Sequence, residues 1–209
     1  MSKSASSTSV VGRPRRFDNE TERKLLVDAA VRVMERNGYA AMSVGDVLNE
    51  AGLSTRAFYR HFESKEALLE TFMLREAESV SRSLQRVVDA APDPRAAVEA
   101  WLERFLDVFY EPRRAQRVAL LSSAAARESG PSAAMITEMR RLACVPLVGA
   151  LRGGHEAGVL YSPIPEADAY SLHSLVVASR DGQGAGSADR ATTRAHVVRF
   201  AWPALGLET

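Results

Sequence analysis

Cysteine is almost missing from these 209 residues. Cys144 stands alone, which excludes an internal disulfide and a cysteine-built metal cluster. The histidines His155, His173 and His196 are far apart and show no HxxxH spacing, so no metal site and no cofactor is expected. No apolar run approaches the roughly eighteen residues of a membrane span, and Val118-Ala119-Leu120-Leu121 is typical of the longest. The first ten residues are polar and serine-rich, unlike a signal peptide, and the chain reads as cytoplasmic. No nucleophile–base pairing, phosphate loop or carboxylate cluster is visible, so an enzyme is not expected. A large charge of one sign is lacking too. Lysine and arginine number 27 against 26 acids, which excludes a globally polycationic nucleic-acid binder. With 46% hydrophobic and 25% charged residues, disorder throughout is excluded as well.

Within that neutral total the charge is uneven. Residues 1–17 carry Lys3, Arg13, Arg15 and Arg16 and no acid, whereas residues 18–70 carry seven bases against ten acids. Residues 1–17, with the segment Gly12-Arg13-Pro14-Arg15-Arg16, therefore read as a disordered basic arm. Such an arm is either a solvated tail or an extended segment laid on phosphates or in a minor groove.

After Phe17 the apolar residues recur at helical spacing, and no strand or internal repeat is found. Leu25/Leu26, Ala29/Ala30 and Val33/Met34 form the stripe of a first helix, capped by Asp18 or Asn19 and stopped at Asn37-Gly38. Ser43-Val44-Gly45-Asp46 is a capping-box pattern opening a short second helix, with Val44, Val47, Leu48 and Ala51 on one face and Gly52 as its end. Ser54 caps a third helix with Phe58 and Phe62 on its buried side, and Ser64 caps a long fourth that ends near Ala91-Pro92. Asp93-Pro94 opens a fifth that stops at Pro112. Further helices are expected over 113–127, 132–157, 165–180 and 189–205. Pro146 and Gly149 predict a kink in the seventh, Gly153-Gly154 an early end, and 181–187 a flexible connection. The expected fold class is all-α, with about nine helices: a three-helix helix-turn-helix DNA-binding domain over 18–65 and a larger helical domain over 66–209.

Two short helices joined by a glycine turn form a helix-turn-helix, in which the second helix sets its N-terminal side chains on base edges in the major groove. Ser43, Ser54, Thr55, Arg56 and Ala57 are the candidates there, the last three facing outward, with Arg56 either a base reader or a further phosphate contact. Tyr59, His61 and Lys65 are the candidate phosphate ligands, with core packing as the other reading of Tyr59 and a structural role as that of His61. Arg13, Arg15 and Arg16 join them if the arm contacts DNA. The run Ala51-Gly52-Leu53-Ser54-Thr55-Arg56-Ala57-Phe58-Tyr59-Arg60-His61-Phe62-Glu63-Ser64-Lys65-Glu66-Ala67-Leu68-Leu69 resembles the DNA-binding signature of TetR/AcrR transcriptional regulators. The likeness spans roughly Leu25 to Phe72, including Ala29-Ala30 and Asn37-Gly38-Tyr39. Leu48 stands where that family usually has alanine, and Gly45 is a poor helix former. The resemblance implies a homodimeric repressor on a palindromic double-stranded operator, released when a small molecule binds the C-terminal domain.

The rest of the chain has no comparable signature. The aromatic and methionine stripe Trp101, Phe105, Phe109, Met135, Met139 and Leu142, with His173, is either plain core or the lining of an effector cavity. Few polar groups accompany it, which favours an apolar or aromatic effector. A regulator without an effector, controlled by a protein partner or by abundance, is the alternative, and a sealed core would favour it. Leu172, Leu175, Val176, Val198, Ala201, Trp202 and Leu205 on the last two helices either form a dimer interface or cap the protomer's own core. Cys144 is expected to be a buried, inert thiol.

Overall fold

The computed structural model describes residues 18–112, 132–180 and 188–207. The basic arm, the helix expected over 113–127 and the connection 181–187 lie outside the described residues. Within them the chain is all-helical, with eight helices and no strand.

Each expected cap is present. Asp18 accepts the Thr21 amide proton and opens α1, Asn19–Ala41, which is interrupted where Gly38 turns to φ 75°, ψ 162°. The stop read at Asn37-Gly38 is therefore real, although helical turns resume after it. Ser43 opens α2, Val44–Ala51, and Gly52 closes it in the left-handed conformation at φ 65°. Ser54 caps α3, Thr55–His61, and Ser64 caps α4, Lys65–Asp89. Asp93 precedes proline at the first position of α5, Pro94–Tyr110. Then come α6, Ala133–Glu156; α7, Pro165–Arg180; and α8, Arg190–Ala204, which Asp189 caps. The seventh expected helix does not stop at Gly153-Gly154: α6 continues to Glu156 as one element with Pro146 inside it. Gly154 is buried against Leu160 and Pro94, so tertiary packing overrides its low helix propensity.

The buried side chains form two clusters. In the first, α1, α2, α3 and the start of α4 enclose Leu26, Val33, Met34, Val47, Phe58, Phe62, Leu68, Leu69 and Phe72. In the second, α4 to α8 enclose Leu84, Trp101, Leu102, Phe105, Leu106, Leu147, Leu151, Val176, Val197 and Trp202. Helix α4, which opens at the expected 65/66 boundary, is shared between the two clusters. The first half of α4, through Met73, completes the first core, and the second half serves the other. This one long helix is thus a continuous rod between the two cores. Its flanks are pinned by the Arg75 guanidinium on Asp28 of α1 (2.6 Å) and by Glu70, which accepts the Ser132 amide proton at the start of α6 (3.0 Å).

Candidate nucleic-acid interface

The helix-turn-helix is built from local chemistry. The Ser43 hydroxyl oxygen accepts the Asp46 amide (3.1 Å), while the Asp46 carboxylate accepts both the amide (2.9 Å) and the hydroxyl (2.6 Å) of Ser43. These bonds hold the Asp46 carboxyl below the usual range, with the Ser43 hydroxyl the largest cause. Gly52 supplies the positive φ that turns the chain toward α3, a conformation in which any Cβ would be strained. Ser54 then accepts the Ala57 amide (3.3 Å). Ser43 and Ser54 are both exposed, and both are engaged as caps.

Helix α3 has seven residues, and Phe58 anchors it, fully buried with the Phe62 ring 5.8 Å away. Thr55 and Arg56 are exposed, and Tyr59 keeps 59% of its surface open with its ring edge against Phe58. These three make the outer face. Ala57 does not belong to it, because it is 4% exposed and packs inward beside Phe58. His61 and Lys65, expected as phosphate ligands, both have partners within the protomer. The His61 side chain is buried, with Nε2 3.1 Å from a Glu22 carboxylate oxygen that Arg60 also bonds. Glu22, itself only 5% exposed, has its carboxyl held below the usual range chiefly by the His61 hydrogen bond. The Lys65 ammonium donates to the carbonyls of Tyr39 (3.2 Å) and Met42 (2.9 Å) and lies 4.3 Å from the centre of the Tyr39 ring. It closes the end of α1 onto α4. Spacing could not reveal this, because the partners lie 23 and 26 residues away.

A second ion pair fixes the angle between α1 and α2. Arg32 and Arg36, one turn apart, both grip Glu50 at 2.7 and 2.6 Å, and the Arg32 bond is the main reason the Glu50 carboxyl lies below its ordinary range. Glu22 and Glu50 are the residues that sequence reading missed. Each is an acid on a helix, read there as part of the charge balance, and its basic partners come from a different helix.

In the second core the stripe divides. Trp101 is fully buried and donates its indole N–H to the Ala143 carbonyl (2.9 Å); Phe105 stacks on it at 4.8 Å and meets Phe109 edge-on at 5.3 Å. His173 lies 5.0 Å from Phe105, its Nδ1 buried with no hydrogen-bond partner among the described residues, and burial pushes its pKa down to about 4. Met139 does not line this site. It packs on the first core instead, while Met135 and Leu142 are half-buried outside both clusters. A cleft of about 420 Å³ opens between α7 and α8 beside Leu175, Ala178, Thr192 and His196, and another of about 410 Å³ lies where α4, α5 and α6 meet; Trp101 and Phe105 line neither.

The residues expected at a dimer interface are largely used within the protomer. Leu172, Val176, Trp202 and Leu205 are buried in the second core, and Leu175, Val198 and Ala201 pack half-buried against it. The large side chains point inward because α7 must cover α6 and α8 together. The outward face of this pair carries Ser171, Ser174, Ala178 and Ala195 instead, with Phe200 54% exposed. Cys144 is buried beside the Ala169 carbonyl, as expected, and desolvation pushes its thiol up to about 12.

Residues 26–72 match the family described as bacterial regulatory proteins, tetR family. The nicotine-responsive transcriptional repressor HdnoR of Paenarthrobacter nicotinovorans is 32% identical over 95 residues, 46% of this chain and 47% of that protein. The transcriptional regulator EthR of Mycolicibacterium smegmatis is 31% identical over 85 residues, covering 40% of this chain and 39% of its own. These matches span about half or less of each relative. Among solved structures, a TetR transcription regulator from Haloarcula marismortui aligns over 89% of this chain and 98% of its own at a TM-score of 0.68 and 21% identity. RolR in complex with resorcinol aligns over 91% and 90% at 0.64 and 19% identity. At those identities the likeness is one of fold, and it extends through the second core. The relatives and fold neighbours are transcriptional regulators rather than enzymes.

Proposed function

We propose that this chain, whose residues 26–72 match the family described as bacterial regulatory proteins, tetR family, is a sequence-specific DNA-binding transcriptional repressor. The observation that carries this reading is the outer face of α3. Thr55, Arg56 and Tyr59 are exposed on a helix whose other side is locked by Phe58. A rigid helix with its N-terminal side chains free is the arrangement that major-groove reading requires. Arg56 reads a base, most simply guanine, and Tyr59 donates to a phosphate. One such helix reads only a few base pairs, so the repressor acts as a homodimer on an inverted repeat with its recognition helices about 34–36 Å apart or more. The outward small-residue face of α7 and α8, with Phe200 at its edge, is where the protomers meet.

The effector is a small apolar or aromatic molecule bound in the second core. The reading is supported by His173, a neutral imidazole whose buried Nδ1, beside the Phe105 ring, has no partner among the described residues. A second reading, a regulator with no small-molecule effector, is favoured by the tight Trp101–Phe105 stack, which neither cleft reaches. Selection of duplex fragments bound by the purified protein tests the DNA reading. Enrichment of an inverted repeat is expected, and recovery of no preferred sequence would defeat it. Titration of phenol and toluene, followed by tryptophan fluorescence and operator release, separates the two effector readings. Both tryptophans lie in the second core, so a bound arene there is expected to change their emission.

A further inference from the structure

The end of α3 holds a charge cluster that the DNA-reading face does not use. Glu22 sits in the first turn of α1, with 5% of its surface exposed. One oxygen of its carboxylate receives both the Arg60 guanidinium and His61 Nε2, the latter at 3.1 Å. The two donors are consecutive residues of the last turn of α3, so a single acid holds the whole end of the recognition helix. Arg23, the next residue of α1, bonds the Thr71 hydroxyl (3.3 Å) and lies 5.6 Å from the Phe62 ring centre. Among the described residues the Glu22 carboxylate is bonded by Arg60 and His61.

We infer that Glu22 is an internal counter-ion that positions α3 and keeps Arg60 and His61 off DNA, leaving Thr55, Arg56 and Tyr59 as the contacts of that helix. The inference rests on the DNA-binding reading above. A buried carboxylate without its partners is costly, because desolvation removes the water that would otherwise satisfy it. A phosphate approaching Arg60 must therefore compete with a carboxylate already in place and already dehydrated. Phosphate contacts supply affinity without sequence information. Sequestering the Arg60 guanidinium therefore lowers affinity for random sequence more than affinity for the operator, and so raises discrimination. Glu22 is a positioning residue in this sense, and it touches no nucleotide.

Fluorescence anisotropy of the full chain over a series of salt concentrations tests this, with a selected inverted-repeat duplex and a random duplex as probes. Arg60→Gln is expected to leave the slope of log affinity against log salt unchanged on both duplexes. Glu22→Gln releases Arg60, and is expected to steepen that slope by about 0.9 for each phosphate newly contacted and to shrink the ratio of selected to random affinity. The double variant is expected to return to the wild-type slope, because the freed cation is then gone. A slope that falls by about 0.9 in Arg60→Gln alone would overturn the inference, since Arg60 would then be a phosphate ligand. So would a Glu22→Gln protein, shown folded by circular dichroism, with wild-type slope and discrimination. Should Glu22→Gln fail to fold, Arg60→Gln decides by itself. A wild-type protein that binds neither duplex would sink the DNA-binding reading instead, a pattern distinct from both.

Discussion

Lys65→Met removes the ammonium and keeps most of the aliphatic stem. The wild-type amine donates to the Tyr39 and Met42 carbonyls at 3.2 and 2.9 Å and sits 4.3 Å from the Tyr39 ring centre. Hydrogen bonds from a charged donor are worth about 1.5–3 kcal/mol each when buried, and a cation over an aromatic face about 0.5–1 kcal/mol at an exposed site. Lys65 is half-buried, and water can replace part of both bonds, so the net loss is expected near 2 kcal/mol. For a chain of this size that corresponds to a melting temperature lower by roughly 4–8 °C. Tryptophan fluorescence is the wrong probe, since Trp101 and Trp202 both belong to the second core. Amide hydrogen exchange over the end of α1 and the start of α4, with thermal circular dichroism, reports the first core directly. Faster exchange there, with unchanged exchange in α5 and α7, is the expected result. Unaltered exchange and melting, together with weaker DNA binding and a salt slope lower by about 0.9, would refute the reasoning and make Lys65 a phosphate ligand.

Arg56→Ala is expected to relax preference at one operator position at a cost of about 1–3 kcal/mol, and a uniform loss across all sequences would show a phosphate role instead. His173, held neutral by burial with a pKa near 4 against an ordinary 6.5, binds no proton where the unfolded chain does. The protein should therefore lose stability as pH falls from about 6.5 to 4, by about 3 kcal/mol at most, and show no such dependence above that window. Urea unfolding of His173→Phe should be flat over the same range apart from other groups. Gly154→Ala would place a Cβ 2.4 Å from Leu160 Cδ1 and 2.9 Å from Pro94 Cβ, so it is expected to cost about 1–3 kcal/mol in thermal unfolding. Gly149→Ala, on the same helix with nothing within 4 Å, should gain up to about 1 kcal/mol and serves as the control.

Short-range chemistry made the helices legible from the sequence alone. A cap acts over three residues and a helical stripe over seven, so Asp18, Ser43, Ser54, Ser64 and Asp93 marked the starts of their helices, and Gly38 and Gly52 marked breaks in the chain. The helix-turn-helix followed from the same local signals, and with it the outward positions of Thr55 and Arg56, though not the inward one of Ala57. Partner choice was not local. Spacing cannot tell a lysine bound for a phosphate from one bound for the carbonyls of Tyr39 and Met42, nor a histidine on DNA from one on Glu22, 39 residues away. Nor can an apolar stripe say what covers it. Leu172, Val176 and Trp202 read equally well as interface or core until α6, α7 and α8 are packed together, and only that packing spent them inside the protomer. Helix propensity and capping are properties of a few neighbouring residues. The destination of a charged or apolar side chain is set by the neighbours that tertiary folding brings to it, and that decision belongs to the structure.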